Sequence, residues 1–204
     1  MVFPGLFRIK QMVCILSLCL IPAWLTAEKH WVIPFGTAEP QPDSLHGRIY
    51  SLPQGTRALP DFENLQPRGD LYAWSLTVNT RNSFAWRGLP GSEWYAIDYR
   101  GTFFVSAPER LVFSLLSDDG SKLYIDDRCI IDNDGIHSSQ TKRGHVRLAK
   151  GFHTIRISYF QGPAPYVALV LSVKLPGQEL RPFDLRDFAS PDEDPVPGLR
   201  ERQR

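Results

Sequence analysis

Apolar and polar positions alternate in short runs along most of the chain. In Arg110–Leu116, Leu111, Phe113 and Leu115 share one side of a two-residue period, against Val112 and Ser114. The same spacing sets Leu123 and Ile125 against Lys122 and Tyr124, and Val146 and Leu148 against Arg147. It recurs in Ile155, Ile157 and Tyr159, and again in Leu169, Leu171 and Val173. Strict alternation of this kind predicts half-buried β-strands. Upstream, RIYSLP, LYAWSLTV, WYAIDY and TFFVSA read as further strands, with Arg100-Gly101 as a tight turn between the last two. Asp126-Asp127 and Asn133-Asp134-Gly135 predict hairpin turns. No helical period of comparable length and no Gly-rich phosphate loop interrupts the series. The expected class is all-β, a barrel or sandwich of short antiparallel strands, with Trp94 and Tyr159 inside.

The two ends differ from this texture. Arg8 and Lys10 precede the apolar run Met12–Leu25, and Thr26-Ala27 offers small residues for cleavage. That run is shorter than the roughly 20 residues of a spanning helix and contains Pro22, so residues 1–27 read as a signal peptide. Residues 28–47 read as a linker, 48–175 as the β domain, and 176–204 as a C-terminal arm and disordered tail. The expected product is exported, whether secreted, periplasmic or at the cell surface, with no membrane span after leader removal. Cys14 and Cys19 would leave with the leader, so Cys129 remains alone and is expected as a small buried residue. Removing Arg8 and Lys10 leaves 21 basic against 22 acidic residues. That balance, with no basic stripe, excludes nucleic acid as a partner.

Candidate chemistry centres on the six aspartates between Ser117 and Gly135. Aspartate is depleted from strands, so these are either turn residues or ligands of a hard cation, which takes carboxylate, carbonyl and water oxygens. Asp132, Asn133 and Asp134 do not fit a helix–loop–helix calcium loop, because Ile130 would occupy its first ligand position. His137, His145 and His153 carry no zinc-type spacing. No nucleophile elbow or placed pair of catalytic carboxylates supports a hydrolase, so no enzyme is expected. Tyr166, in the loop QGPAPY, is the best exposed ring for stacking on a sugar.

The motifs SDDGSKLYID, IDNDGIH and KGFHTIRISYFQG together resemble the protective-antigen-fourteen (PA-fourteen) domain family. The resemblance runs from about Arg48 to Val173. It implies a β-barrel or sandwich with irregular arms at both ends, whose loops often bind carbohydrate through calcium. In adhesin members the matching Asp-Asp pair is joined by a cis peptide and both carboxylates ligate the ion. Asp118 and Asp119 align with that pair. Gln161, in the loop before the last strand, would add a ligand, although that loop carries no aspartate or asparagine. The expected function is a non-catalytic module holding a glycan through Ca2+ at Asp118, Asp119 and Gln161, with Tyr166 and Trp86 orienting the ligand. The alternative is a structural or protein-interaction domain of the cell envelope, bound to an envelope protein, with the aspartates serving only as turns.

Overall fold

The structure is a computed structural model that describes residues 34–84 and 88–191. The expected leader, the start of the linker, Trp86 and the residues from 192 onward lie outside the described residues. Eleven strands follow one another: β1 (Leu45–Ser51), β2 (Gly69–Ala73), β3 (Thr77–Asn82), β4 (Tyr95–Val105), β5 (Glu109–Asp118) and β6 (Ser121–Ile125). Then come β7 (Arg128–Asn133), β8 (Gln140–Leu148), β9 (Gly151–Gln161), β10 (Tyr166–Lys174) and β11 (Arg181–Pro182). Six form a sheet in the order β2-β1-β4-β9-β6-β7; the other holds β11-β10-β5-β8, with β3 also paired to β10. Every pairing is antiparallel. The sheets stay separate, so the architecture is a sandwich and not a closed barrel.

The alternation seen in the sequence is what fills the space between the sheets. Leu111, Phe113 and Leu115 from one sheet join Ile97, Ile155 and Ile157 from the other in a single core. Each such aliphatic side chain contributes about 1.5–3 kcal/mol when fully buried. Tyr159 is inside as expected, fully buried, but Trp94 is only half-buried and adopts a positive φ of 58°.

Several local expectations change. Arg100-Gly101 is not a turn: β4 runs unbroken for 11 residues. A Cβ on Gly101 would stand 3.0 Å from Leu45 Cδ2, so close packing is what the glycine serves there. Phe35 is buried and Thr37 bridges to Tyr72, so part of the expected linker belongs to the core. Asp126 and Asp127, with φ of 47° and 61°, do make the tight β6–β7 hairpin. Asn133-Asp134-Gly135 does not close a hairpin, because β7 and β8 lie in different sheets. Cys129 is exposed on that first hairpin and not buried.

The arm after β10 docks through Phe183, Leu185 and Phe188, all buried. Phe103 meets Phe183 and Phe188 edge-on at 5.7 and 5.6 Å. Phe103 pairs with His153 near the Val105–Gly151 end of the β4/β9 pair, away from the Tyr95–Gln161 end.

Candidate functional site

Four connections cross between the sheets at the end marked by Tyr95 and Gln161: β3–β4, β5–β6, β7–β8 and β9–β10. Asp118 is the last residue of β5, and only Asp119 and Gly120 separate it from β6. The crossing is therefore very short, and its Asp118–Asp119 peptide is cis. Gly120 permits it sterically: a Cβ there would lie 2.3 Å from Phe160 Cε1 and 2.8 Å from the Gly135 nitrogen.

The pair is nearly buried, 6% exposed at Asp118 and 3% at Asp119. Asp119 accepts N–H bonds from two other crossings, His137 at 3.1 Å on Oδ1 and Gly162 at 2.9 Å on Oδ2. Asp118 Oδ2 accepts from the Ser139 hydroxyl at 3.0 Å, and its carbonyl accepts from the Tyr159 hydroxyl at 2.7 Å. Burial pushes the Asp119 carboxyl above its ordinary value; the Gly162 and His137 amides pull against this, and the Asp118 charge adds to it. Among the described residues neither carboxylate has a Lys, Arg or His in an ion pair. Burying a carboxylate without a counter-charge is costly, and here two sit side by side.

The neighbouring groups are oxygen donors. Asn133, fully buried, gives its amide N–H to Ser117 Oγ at 2.9 Å and to the Gln140 carbonyl at 3.1 Å. Its Oδ1 is buried without a hydrogen-bond partner. His137 ties this residue to the pair, since its ring contacts the Asn133 carbonyl at 2.9 Å while its amide holds Asp119. The described residues contain no group of three His, Cys, Asp or Glu side chains that could hold a metal. The groups gathered here are oxygens, two carboxylates joined to Asn133 through Ser117 and His137, which is the donor type that hard cations take.

Gln161 sits where the sequence suggested, but its side chain is fully buried and already engaged. Its Oε1 lies 2.5 Å from the Tyr159 hydroxyl, whose one proton it shares with the Asp118 carbonyl, and its Nε2 donates to the Tyr166 carbonyl at 2.9 Å. Tyr166 is 50% exposed at the start of β10, paired in register with Asn82. Ser83, in the β3–β4 crossing, donates its amide to the Pro165 carbonyl at 2.7 Å. Sequence reasoning missed Ser139, Asn133 and the His137 and Gly162 amides as supports. Asn133 and His137 were nonetheless within the IDNDGIH motif. The three spaced histidines do not gather: His145 is exposed on β8, and His153 bonds Asp126 at 2.7 Å.

Comparison with known proteins places the fold. An anti-sigma factor domain-containing protein shares 19% identity and a TM-score of 0.58, over 75% of this chain and 50% of that one. This chain thus spans half the length of that relative. A structure described as the PA14 sugar-binding domain from an RTX adhesin shares 15% identity, with a TM-score of 0.57, over 72% of this chain and 98% of that chain. The epithelial adhesin 9 A domain from Candida glabrata, solved with Galb1-3GlcNAc, shares 12% identity and a TM-score of 0.54, over 78% and 95% of the two chains. At these identities the likeness is one of fold. No curated protein sequence matches the chain. No helix among the described residues is long and apolar enough to cross a membrane. Residues 89–185, from the β3–β4 crossing into the docked arm, match the family model described as the PA14 domain.

Proposed function

We propose that this chain is an exported, non-catalytic binding module that holds a carbohydrate through a calcium ion at Asp118 and Asp119. The observation that carries the reading is the buried carboxylate pair without a cationic partner, set among four loops. Asp118 and Asp119 would hold the ion, with Asn133 Oδ1 and Gln161 Oε1 as further uncharged oxygens of the same hydrogen-bonded network. Bound calcium supplies further coordination positions that hydroxyl oxygens of a sugar fill. The protein's own part is positioning. Ser139 fixes the Asp118 carboxylate, and the His137 and Gly162 amides fix that of Asp119. Tyr166 offers an exposed ring at the rim for orienting the ligand, and Trp86, which lies outside the described residues, is retained as the second such ring from the sequence alone. The RTX adhesin domain is described as sugar-binding and the Candida adhesin was solved with a disaccharide, which supports a glycan as the ligand class. The leader-like residues 1–27 support export to the periplasm, the cell surface or the medium.

A second reading has its own observation. Both Asp119 oxygens already accept amide bonds from separate loops. The pair then serves as an internal staple in a structural or protein-interaction domain of the cell envelope. Thermal unfolding of the chain in millimolar calcium and in excess chelator separates the two. Ligand at a hundredfold excess over Kd adds about 2.7 kcal/mol to stability. A calcium-dependent rise that Asp118→Asn abolishes supports the metal site, and a glycan array in calcium then tests the sugar. An unchanged midpoint favours the staple.

A further inference from the structure

The residues before the matched family segment build a second cleft, on the outer face of the six-stranded sheet. After β1 the chain runs out as a long strap, residues 52–68, before returning as β2. The strap is tied down by the Leu59 amide on Asp134 Oδ1 at 2.8 Å and by Phe62, which is 8% exposed and packs on Tyr50 at 5.1 Å. Between strap and sheet lies a cavity of about 380 Å³. Its floor is Arg48 and Tyr50 of β1 with Asp98 and Arg100 of β4; Phe62, Leu65 and Pro67 form the wall. That volume suits a small organic ligand.

The hydrogen-bonding of the floor is unbalanced. Asp98, 3% exposed, accepts from Arg156 Nε and the Ser158 hydroxyl at 2.7 Å each and from Arg100 Nε at 3.0 Å. Arg48 lies directly opposite Asp98 in the β1/β4 register, yet it has no hydrogen bond or ion pair among the described residues. The only bond Arg100 makes with its guanidinium is through Nε. Both side chains are exposed, so one whole guanidinium and the terminal N–H groups of another are held by no protein group and are open to a ligand in the cleft. Two arginines, Arg48 and Arg100, and two carboxylates, Asp98 and Glu63, line the cleft; Asp98 is already met by Arg156, and Asp70, opposite Arg48 in the β1/β2 register, takes His46 at 2.6 Å. A guanidinium presents a planar fork of donors that matches a carboxylate or a phosphate.

We propose that this cleft is a binding site for a compact organic anion. Its carboxylate or phosphate is taken by Arg48 and Arg100, and its apolar face lies against Phe62, Leu65 and Pro67. Seven of the nine lining residues precede residue 89, so most of the site is built by the part of the chain that the family match leaves out, with Asp98 and Arg100 supplied from within it. It needs neither calcium nor the Asp118–Asp119 loop.

The test is calorimetric titration of the chain in chelator and low-ionic-strength chloride buffer with three probes: inorganic phosphate, D-glucuronate and neutral D-glucose. The expected result is saturable binding of phosphate or glucuronate, whichever head group the fork prefers, and none of glucose. Arg48→Gln weakens it at least tenfold without moving the thermal midpoint, since that side chain holds nothing in the fold. Asp118→Asn leaves it unchanged, which separates this site from the calcium reading. Absence of saturable binding by both anions overturns the proposal, as does equal binding of glucose or an undiminished affinity in Arg48→Gln.

Discussion

Asp98 and the Asp118–Asp119 pair are buried to the same degree, and their surroundings treat them in opposite ways. Asp98 is met by two guanidinium groups and a hydroxyl. Its charge is compensated within the chain, and the two arginines reach it from β4 and β9. The pair at the loop end receives only neutral donors, amides and hydroxyls, for two charges. Neutral donors stabilise a carboxylate but do not cancel it. Burial alone thus does not mark a functional acid. Burial without a counter-charge, beside an orphaned amide oxygen, is the sharper sign.

The comparison breaks most visibly at Asp98. Asp98→Ala leaves Arg100 and Arg156 facing each other without a carboxylate. The expected loss is about 3 kcal/mol, the low end for a broken buried pair because both arginines keep some solvent. Denaturant unfolding measures it, and a loss no larger than that of an exposed aspartate would mean that Asp98 is not the anchor described. Asp118→Asn should act in the opposite sense. It removes a charge but keeps an oxygen for Ser139, so stability in chelator is equal to wild type or higher. In calcium it lacks the wild-type gain, about 2.7 kcal/mol at a hundredfold excess over Kd. Both values come from melting curves of the two proteins in matched buffers.

Removing a support sharpens the contrast further. Ser139→Ala deletes the hydroxyl that bonds Asp118 and lies 2.8 Å from the Thr80 hydroxyl, and it should cost about 1 kcal/mol by the same unfolding assay. The smallest effect belongs to Asp126, a more exposed acid with a histidine partner. Burial pulls its pKa up, but the His153 and Thr154 bonds outweigh this and it ends below its ordinary value. Burial pulls His153 down, and the Ala149 carbonyl and Asp126 outweigh it, so His153 ends above its ordinary value. The Asp126 contribution is present above the unfolded carboxyl pKa and fades as pH falls through the lowered folded value. The His153 contribution is present below the unfolded imidazole pKa and fades as pH rises through the raised folded value. The pair therefore contributes most between about pH 4 and 6.5, by less than about 1 kcal/mol. Comparing His153→Gln with wild type across that range should show a stability difference that peaks within it and shrinks on both sides.

Much of this was legible in the sequence, and the exceptions share a cause. Leu111, Phe113 and Leu115 announced their face because burial in a strand repeats every two residues. Asp118 and Asp119 stood out as adjacent acids in a strand context, and the surrounding motifs gave the family. Gly101 misled because a glycine required by a neighbouring strand looks the same in sequence as one required by a turn. Asn133-Asp134-Gly135 misled in a similar way: the residues do turn the chain, but toward the other sheet. The supports of the pair were invisible, since Ser139 and Gly162 lie 21 and 43 residues from the aspartates they bond. Asp98 was missed altogether, for its meaning depends on Arg156, 58 residues away.

The docked arm has a consequence for how such a module can be displayed. Phe183 and Phe188 fasten the chain beside Phe103, toward the end of the sandwich opposite the four crossings. A tag, a surface or a neighbouring domain joined through that arm is led away from the acidic loops. The arm is the natural handle by which to immobilise this protein while leaving the end with the four crossings facing outward.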